Sequence, residues 1–125
     1  MVIETVGEGV KAYRDDAWTI IFNQALELME TKEDDAALKK LNLCIKMNHL
    51  RPEAYAALVQ YYVNKGDFKT AKEYAKYGEV LDSPVLYEMN AKLLLQEFQN
   101  TKKNDLLIQA EEMYLKAMDL VDDAT

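Results

Sequence analysis

Small residues recur along this chain at a fixed distance. Ala37 and Ala71 are separated by 34 residues, and so are Cys44 and Gly78. Self-similarity at such a period restricts a chain to architectures in which one supersecondary unit stacks on the next, because a single unit cannot bury its apolar face alone. The unit is clearest between Pro52 and Pro84, PEAYAALVQYYVNKGDFKTAKEYAKYGEVLDSP. Pro52 suits a first helical position, where its missing N–H would be unpaired anyway, and Ala54, Tyr55, Leu58, Tyr61 and Tyr62 follow at helical spacing. Gly66-Asp67 interrupts the pattern; Ala71, Tyr74, Ala75 and Gly78 resume it, and Asp82-Ser83-Pro84 closes it with a cap residue and a second proline. The spacing predicts two helices and a turn, with small residues on the second helix letting the first approach closely.

The flanking segments read as further hairpins. Asp15 and Asp16 are N-cap candidates for a helix through Trp18, Ile21, Phe22, Ala25, Leu28 and Met29, ending before Thr31-Lys32-Glu33-Asp34-Asp35. Those acids favour the start of the next helix, whose apolar face holds Ala37, Leu38, Leu41, Cys44, Ile45 and Met47 and which stops near Asn48–Arg51. After Pro84 comes a longer helix with Leu86, Tyr87, Ala91, Leu94, Leu95 and Phe98, then a polar loop over Gln99–Asn104. The last helix carries Leu107, Ala110, Met113, Tyr114, Ala117, Met118 and Val121, and an acidic tail, Asp122-Asp123-Ala124-Thr125, follows. Residues 1–14 hold Gly7 and Gly9 and settle on no one period, so they read as an N-terminal tail or cap. The expected organisation is that tail and one all-α domain over 15–125, with hairpins at about 16–50, 52–83 and 84–121 and six helices in all.

The second helices share a pattern: a small residue, three others, a packing residue, two others, a small residue. It occurs as Ala37, Leu41, Cys44; as Ala71, Ala75, Gly78; and as Ala110, Tyr114, Ala117. In the central unit Tyr55, Leu58, Val59 and Tyr62 fill the first-helix slots ahead of Gly66-Asp67-Phe68. With the 34-residue period, these residues resemble the tetratricopeptide repeat (TPR) family over about residues 16–121. Pro84-Val85-Leu86-Tyr87 aligns with Pro52-Glu53-Ala54-Tyr55 and opens a third unit, stretched because Ala91 to Ala110 spans 19 residues where Val59 to Ala71 spans 12. In the first unit an unbroken period puts Ile21 in the aromatic slot, whereas the cap at Asp15-Asp16 puts Trp18 there; the cap favours Trp18. The resemblance implies a right-handed superhelical array of three antiparallel hairpins with a concave side lined by the first helices.

Carried over by register, the groove positions would be Glu53, Ala56, Ala57, Gln60, Val63 and Asn64 from the second unit and Glu88, Met89, Lys92, Leu95 and Gln96 from the third, of which all but Ala56, Glu88 and Gln96 are taken as contacts. Both registers of the first unit add Asn23 and Leu26. The lining is mixed: Leu26, Val63, Met89 and Leu95 offer apolar contact, and Asn23, Gln60, Asn64 and Lys92 offer hydrogen bonds, which suits a peptide or an amphipathic helix. A subset of the family grips a peptide's C-terminal carboxylate with Lys, Arg and Asn. Here the equivalent second-unit positions are Glu53 and Ala57, and Lys92 alone supplies a cation, so the clamp is not matched.

Chemistry-bearing residues are few. His49 stands alone at a helix end and Cys44 sits in a small-residue packing slot, so neither a metal set nor an activated nucleophile is read. Asp34-Asp35, Glu111-Glu112 and Asp122-Asp123 lie at a helix start, on a solvated face and in the tail, without calcium-loop spacing. The tyrosines read as inter-helix packing. No glycine-rich phosphate loop, zinc motif or nucleophile elbow occurs, so no catalytic residue, cofactor or metal is expected. A net charge of −7 repels phosphate backbones and anionic headgroups, which disfavours nucleic acid and a membrane surface. No apolar run approaches the ~20 residues of a bilayer span. An acidic first stretch without a basic n-region reads as no secretory signal, and one cysteine allows no internal disulfide, so the cytoplasm is the expected compartment.

Three readings follow. The first is an adaptor or scaffold that binds a peptide or helix of a partner protein and performs no catalysis. The second is a TPR-type chaperone keeping an apolar client segment soluble. The third is a homo-oligomer assembling through exposed terminal helices.

Overall fold

In a computed structural model the backbone is described for residues 2–124 and the side chains for 13–121. The described residues form seven helices and no strand: α1 (Val2–Glu30), α2 (Asp34–Met47), α3 (Pro52–Asn64), α4 (Phe68–Ala75), α5 (Tyr77–Leu81), α6 (Pro84–Thr101) and α7 (Asn104–Ala124). They group into two compact units, Met1–Leu50 and Arg51–Thr125.

The first unit is the hairpin α1–α2. Ala25, Ala37, Leu41 and Cys44 are fully buried in it, and Trp18 is 2% exposed while Ile21 is half-buried. Trp18 is thus the core aromatic, stacked on Phe22 with ring centroids 4.9 Å apart. Helix α1 does not start at Asp15-Asp16 as expected. It runs from Val2, and Thr19 Oγ1 donates to the Asp15 carbonyl at 3.1 Å from within the helix. Gly7 and Gly9 each cost a helix about 1 kcal/mol relative to alanine. Once a helix is nucleated, however, each added residue gains a hydrogen bond, and good formers such as Glu4, Lys11 and Ala12 surround the glycines. The expected tail or cap at residues 1–14 therefore has a helical backbone over 2–14; residue 1 and the side chains up to Ala12 lie outside the described residues. Asp34 and Asp35 occupy the first turn of α2 and Lys46 its last, each complementing the helix dipole.

The second unit contains α3 to α7. Gly66, at φ 79°, closes α3, and Asp67 caps α4 by accepting from the Thr70 N–H at 3.2 Å. The expected single helix after this turn is two. The chain tightens at Lys76, where the Glu79 N–H donates to the Lys76 carbonyl at 3.2 Å, three residues back. Helix α5 then presses Gly78 on α6 so closely that a Cβ there would stand 2.8 Å from Leu86 Cβ. Ser83 caps α6, its Oγ accepting from the Leu86 N–H at 3.4 Å ahead of Pro84 at the helix start.

The stretched third hairpin is α6–α7, of 18 and 21 residues against 13 in α3. The expected loop Gln99–Asn104 shrinks to Lys102-Lys103, because the polar residues up to Thr101 continue α6 until Lys102 turns left-handed at φ 61°. Its core joins Tyr87, Ala91 and Leu94 of α6 to Leu106, Ala110, Met113 and Ala117 of α7. Met118 and Val121, expected among the apolar positions of the last helix, are 58% and 52% exposed. The apolar arc of α7 is wider than one partner helix covers. The acidic residues 122–125 lie outside the described side chains.

Candidate functional site

The ten groove residues expected from the repeat divide between the units. Asn23 and Leu26 lie on α1 and are exposed there. The other eight lie on α3 and α6, which pack against each other in the second unit. Glu53, Gln60, Asn64 and Lys92 are exposed, and Ala57, Val63, Met89 and Leu95 are half-buried. Half-buried apolar residues beside exposed polar ones are what a surface for a peptide or helix needs: area to remove from water, and hydrogen-bonding groups to fix register.

The polar groups of this face are already engaged with neighbours. Gln60 Nε2 donates to Asn64 Oδ1 at 2.9 Å, one helical turn on. Lys92 Nζ is 3.6 Å from Glu88 Oε1, and Arg51 Nε is 3.4 Å from Glu53 Oε2. These are exposed pairs, each worth about 0–1 kcal/mol, so a ligand separates them at little cost. The two charged residues of the set, Glu53 and Lys92, are thus each partnered within the fold.

The second unit has cavities of which two stand out among the described residues, and none of the ten residues lines either. One, of about 410 Å³, lies between α4 and α6, with Phe68 and Leu93 as its apolar wall. Lys69, Lys72 and Lys76 stand along it, and Lys72 Nζ donates to Glu97 Oε2 at 2.8 Å across it. The other, of about 360 Å³, lies between the start of α6 and the end of α7 and is lined by Val85, Tyr114, Met118 and Val121, with Glu88 at its edge. Of the positions that repeat register places in the groove, Gln96 lines the first cavity and Glu88 the second; the rest of each lining is missed, because register selects positions on first helices and α4 and α7 are second helices. The available signal for the second was the surplus of apolar positions on the last helix.

Cys44 is fully buried, its Sγ 3.9 Å from the Trp18 carbonyl, and His49 is exposed just past the end of α2. Among the described residues no three of His, Cys, Asp and Glu stand close enough to hold a metal ion. The tyrosines pack ring against ring: Tyr55 on Tyr77 at 4.6 Å and Tyr62 on Tyr74 at 5.8 Å, both stacked. Burial raises the pKa of Tyr55 and Tyr74 above the ordinary 10.0, and their ring neighbours add to the rise. Burial also raises Tyr87, whose hydroxyl further donates to Asp82 Oδ1 at 3.0 Å. No described helix is long and apolar enough to cross a membrane.

No protein-family model matches this sequence, and no curated protein matches it. Among solved structures it is similar to the type III secretion chaperone SycD of Yersinia enterocolitica, determined in complex with a peptide of the translocator YopD. The two are 20% identical with a TM-score of 0.66, over 85% of this chain and 77% of that one. A likeness at this identity is one of fold. The fold is all-α and TPR-like.

Proposed function

We propose that this chain is a non-catalytic interaction protein of the tetratricopeptide family that holds a peptide or helix of a partner protein. The observation that carries the proposal is that α3 and α6 pack together and carry half-buried Ala57, Val63 and Met89 beside exposed Gln60, Asn64 and Lys92, while half-buried Leu95 packs against the α6–α7 core at the edge of the proposed face. The absence of a basic clamp favours an internal or helical segment over a free C-terminus. Asn23 and Leu26 of α1 are proposed contacts on the first unit by repeat register, and the cytoplasm is the proposed compartment.

A second reading is favoured by one finding. The similar solved structure is a secretion chaperone with a translocator peptide bound, so a client-holding role is proposed beside the adaptor role. A chaperone raises the solubility of its client on co-expression; an adaptor does not. The self-assembling reading is separated by light scattering, since a monomer at all concentrations removes it.

The test is affinity capture with the full chain, followed by capture with Val63→Lys and Met89→Lys together. The double substitution is expected to lose the partner that wild type retains, while Ile20→Lys, an exposed change on α1, keeps it. Retention by the double variant sinks the assignment to this face.

A further inference from the structure

The cavity between α4 and α6 carries a charge balance opposite to that of the chain. Three lysines and two glutamates line its 410 Å³, whereas the whole sequence has 22 acids against 15 bases. Lys69, Lys72 and Lys76, spaced three and four apart, form one row along α4. The three are not equivalent. Lys72 is held by Glu97, its Nζ 2.8 Å from Oε2, in a bridge that crosses from α4 to α6. Among the described residues neither Lys69 nor Lys76 enters an ion pair, and neither does Glu73, the other acid of the lining. Two uncommitted ammonium groups thus share the cavity with one uncommitted carboxylate.

Apolar surface lies beside these charges. Leu93 of α6 is 7% exposed and Phe68 of α4 is 41% exposed, and both line the cavity, with the amides of Gln96 and Asn100 on the α6 side. A space of a few hundred Å³ with an apolar wall and a few polar groups is of the kind that receives part of a ligand. The lysines decide which kind. A basic segment would bring its cations against Lys69 and Lys76, and a neutral one would leave both ammonium groups without a counter-charge. Carboxylates on either side of an apolar residue meet the two lysines and the apolar wall together.

We propose that the α4–α6 cavity binds an acidic segment of a partner protein, with an apolar side chain on Phe68 and Leu93 and flanking carboxylates on Lys69 and Lys76. This rests on the reading of the chain as an interaction protein, and it adds a chemistry for the partner at residues outside the α3–α6 set.

The test uses the full chain and a fluorescent peptide of about ten residues, about 33 Å when extended, blocked at both ends. It carries one phenylalanine between two pairs of glutamates in a glycine and serine context, and binding is read by anisotropy. The peptide is expected to saturate, with a twin carrying lysine for glutamate and a twin carrying serine for phenylalanine each at least about tenfold weaker. Lys69→Glu with Lys76→Glu is expected to weaken the parent peptide about tenfold or more. Lys39→Glu with Lys46→Glu, the same charge change at exposed positions of α2, is expected to leave it within about threefold. Glu97→Gln releases Lys72 and is expected to tighten the peptide about threefold or more. No saturable binding, either twin as tight as the parent, equal losses in the two double variants, or no tightening in Glu97→Gln would each overturn the proposal. Failure here, with partner capture still sensitive to Val63 and Met89, leaves the interaction reading standing; loss of both removes it.

Discussion

Lys32 and Gly66 close equivalent turns. The two positions are 34 residues apart and both are left-handed, at φ 63° and 79°. In each case the next residue's N–H reaches back five positions: Glu33 to the Leu28 carbonyl at 2.8 Å, and Asp67 to the Tyr62 carbonyl at 2.9 Å. The repeat therefore preserves the helix stop even where it does not preserve glycine.

A side chain in the left-handed region costs roughly 1–2 kcal/mol, part of which glycine returns through its freer unfolded chain. Lys32→Gly is expected to raise stability by up to about 1 kcal/mol, read as a higher urea midpoint with unchanged slope. Gly66→Ala, with open space around it but the same φ, should lower it.

Trp18 Nε1 donates to the Cys44 carbonyl at 3.0 Å, and the Asn48 N–H shares that acceptor at 2.9 Å. Trp18→Phe leaves the carbonyl satisfied, so the lost hydrogen bond costs about 1 kcal/mol and the smaller ring adds a void. Unfolding followed by circular dichroism checks this, since the change removes the chain's single tryptophan. An unshifted midpoint would show that the indole does not hold α1 to α2.

Gly78→Ala should be costlier than an ordinary surface glycine change. The new methyl would meet Leu86 Cβ at 2.8 Å and the Leu86 backbone carbonyl carbon at 3.1 Å, neither a flexible tip. Overpacking of this kind costs about 1–3 kcal/mol, to be read in the thermal midpoint against wild type.

Alkaline pH should destabilise the fold. Burial holds Tyr55, Tyr74 and Tyr87 above the ordinary 10.0, so as pH rises past that value the unfolded chain releases phenolic protons that the folded chain retains. Stability is expected to be unaffected by these groups below pH 10.0 and to fall as pH rises through their folded values. Phenolate absorbance should appear later in the folded protein than in urea, and Tyr87→Phe should reduce the lag.

The helices were legible because local signals agree with packing: Pro52 and Pro84 open α3 and α6, and Asp67 and Ser83 cap α4 and α6. Trp18 takes the core slot against the unbroken period, which indicated Ile21, although the Asp15-Asp16 helix start that favoured it is absent. The failures have a common cause. Gly7, Gly9 and the Gln99–Thr101 run are weak local signals that helix cooperativity overrides. The exposure of Met118 and Val121 depends on which flank of α7 meets α6, and periodicity gives the width of an apolar arc without saying how much of it a neighbour covers.

The central claim is that α3 and α6 present one binding face. It is tested most directly by mapping backbone amide shifts of the isotopically labelled full chain on titration with a peptide selected against it from a displayed library. The account predicts that Ala57, Gln60, Val63 and Asn64 of α3 move together with Met89, Lys92 and Leu95 of α6. Saturable binding that moves neither helix, or only one of the two, would contradict it.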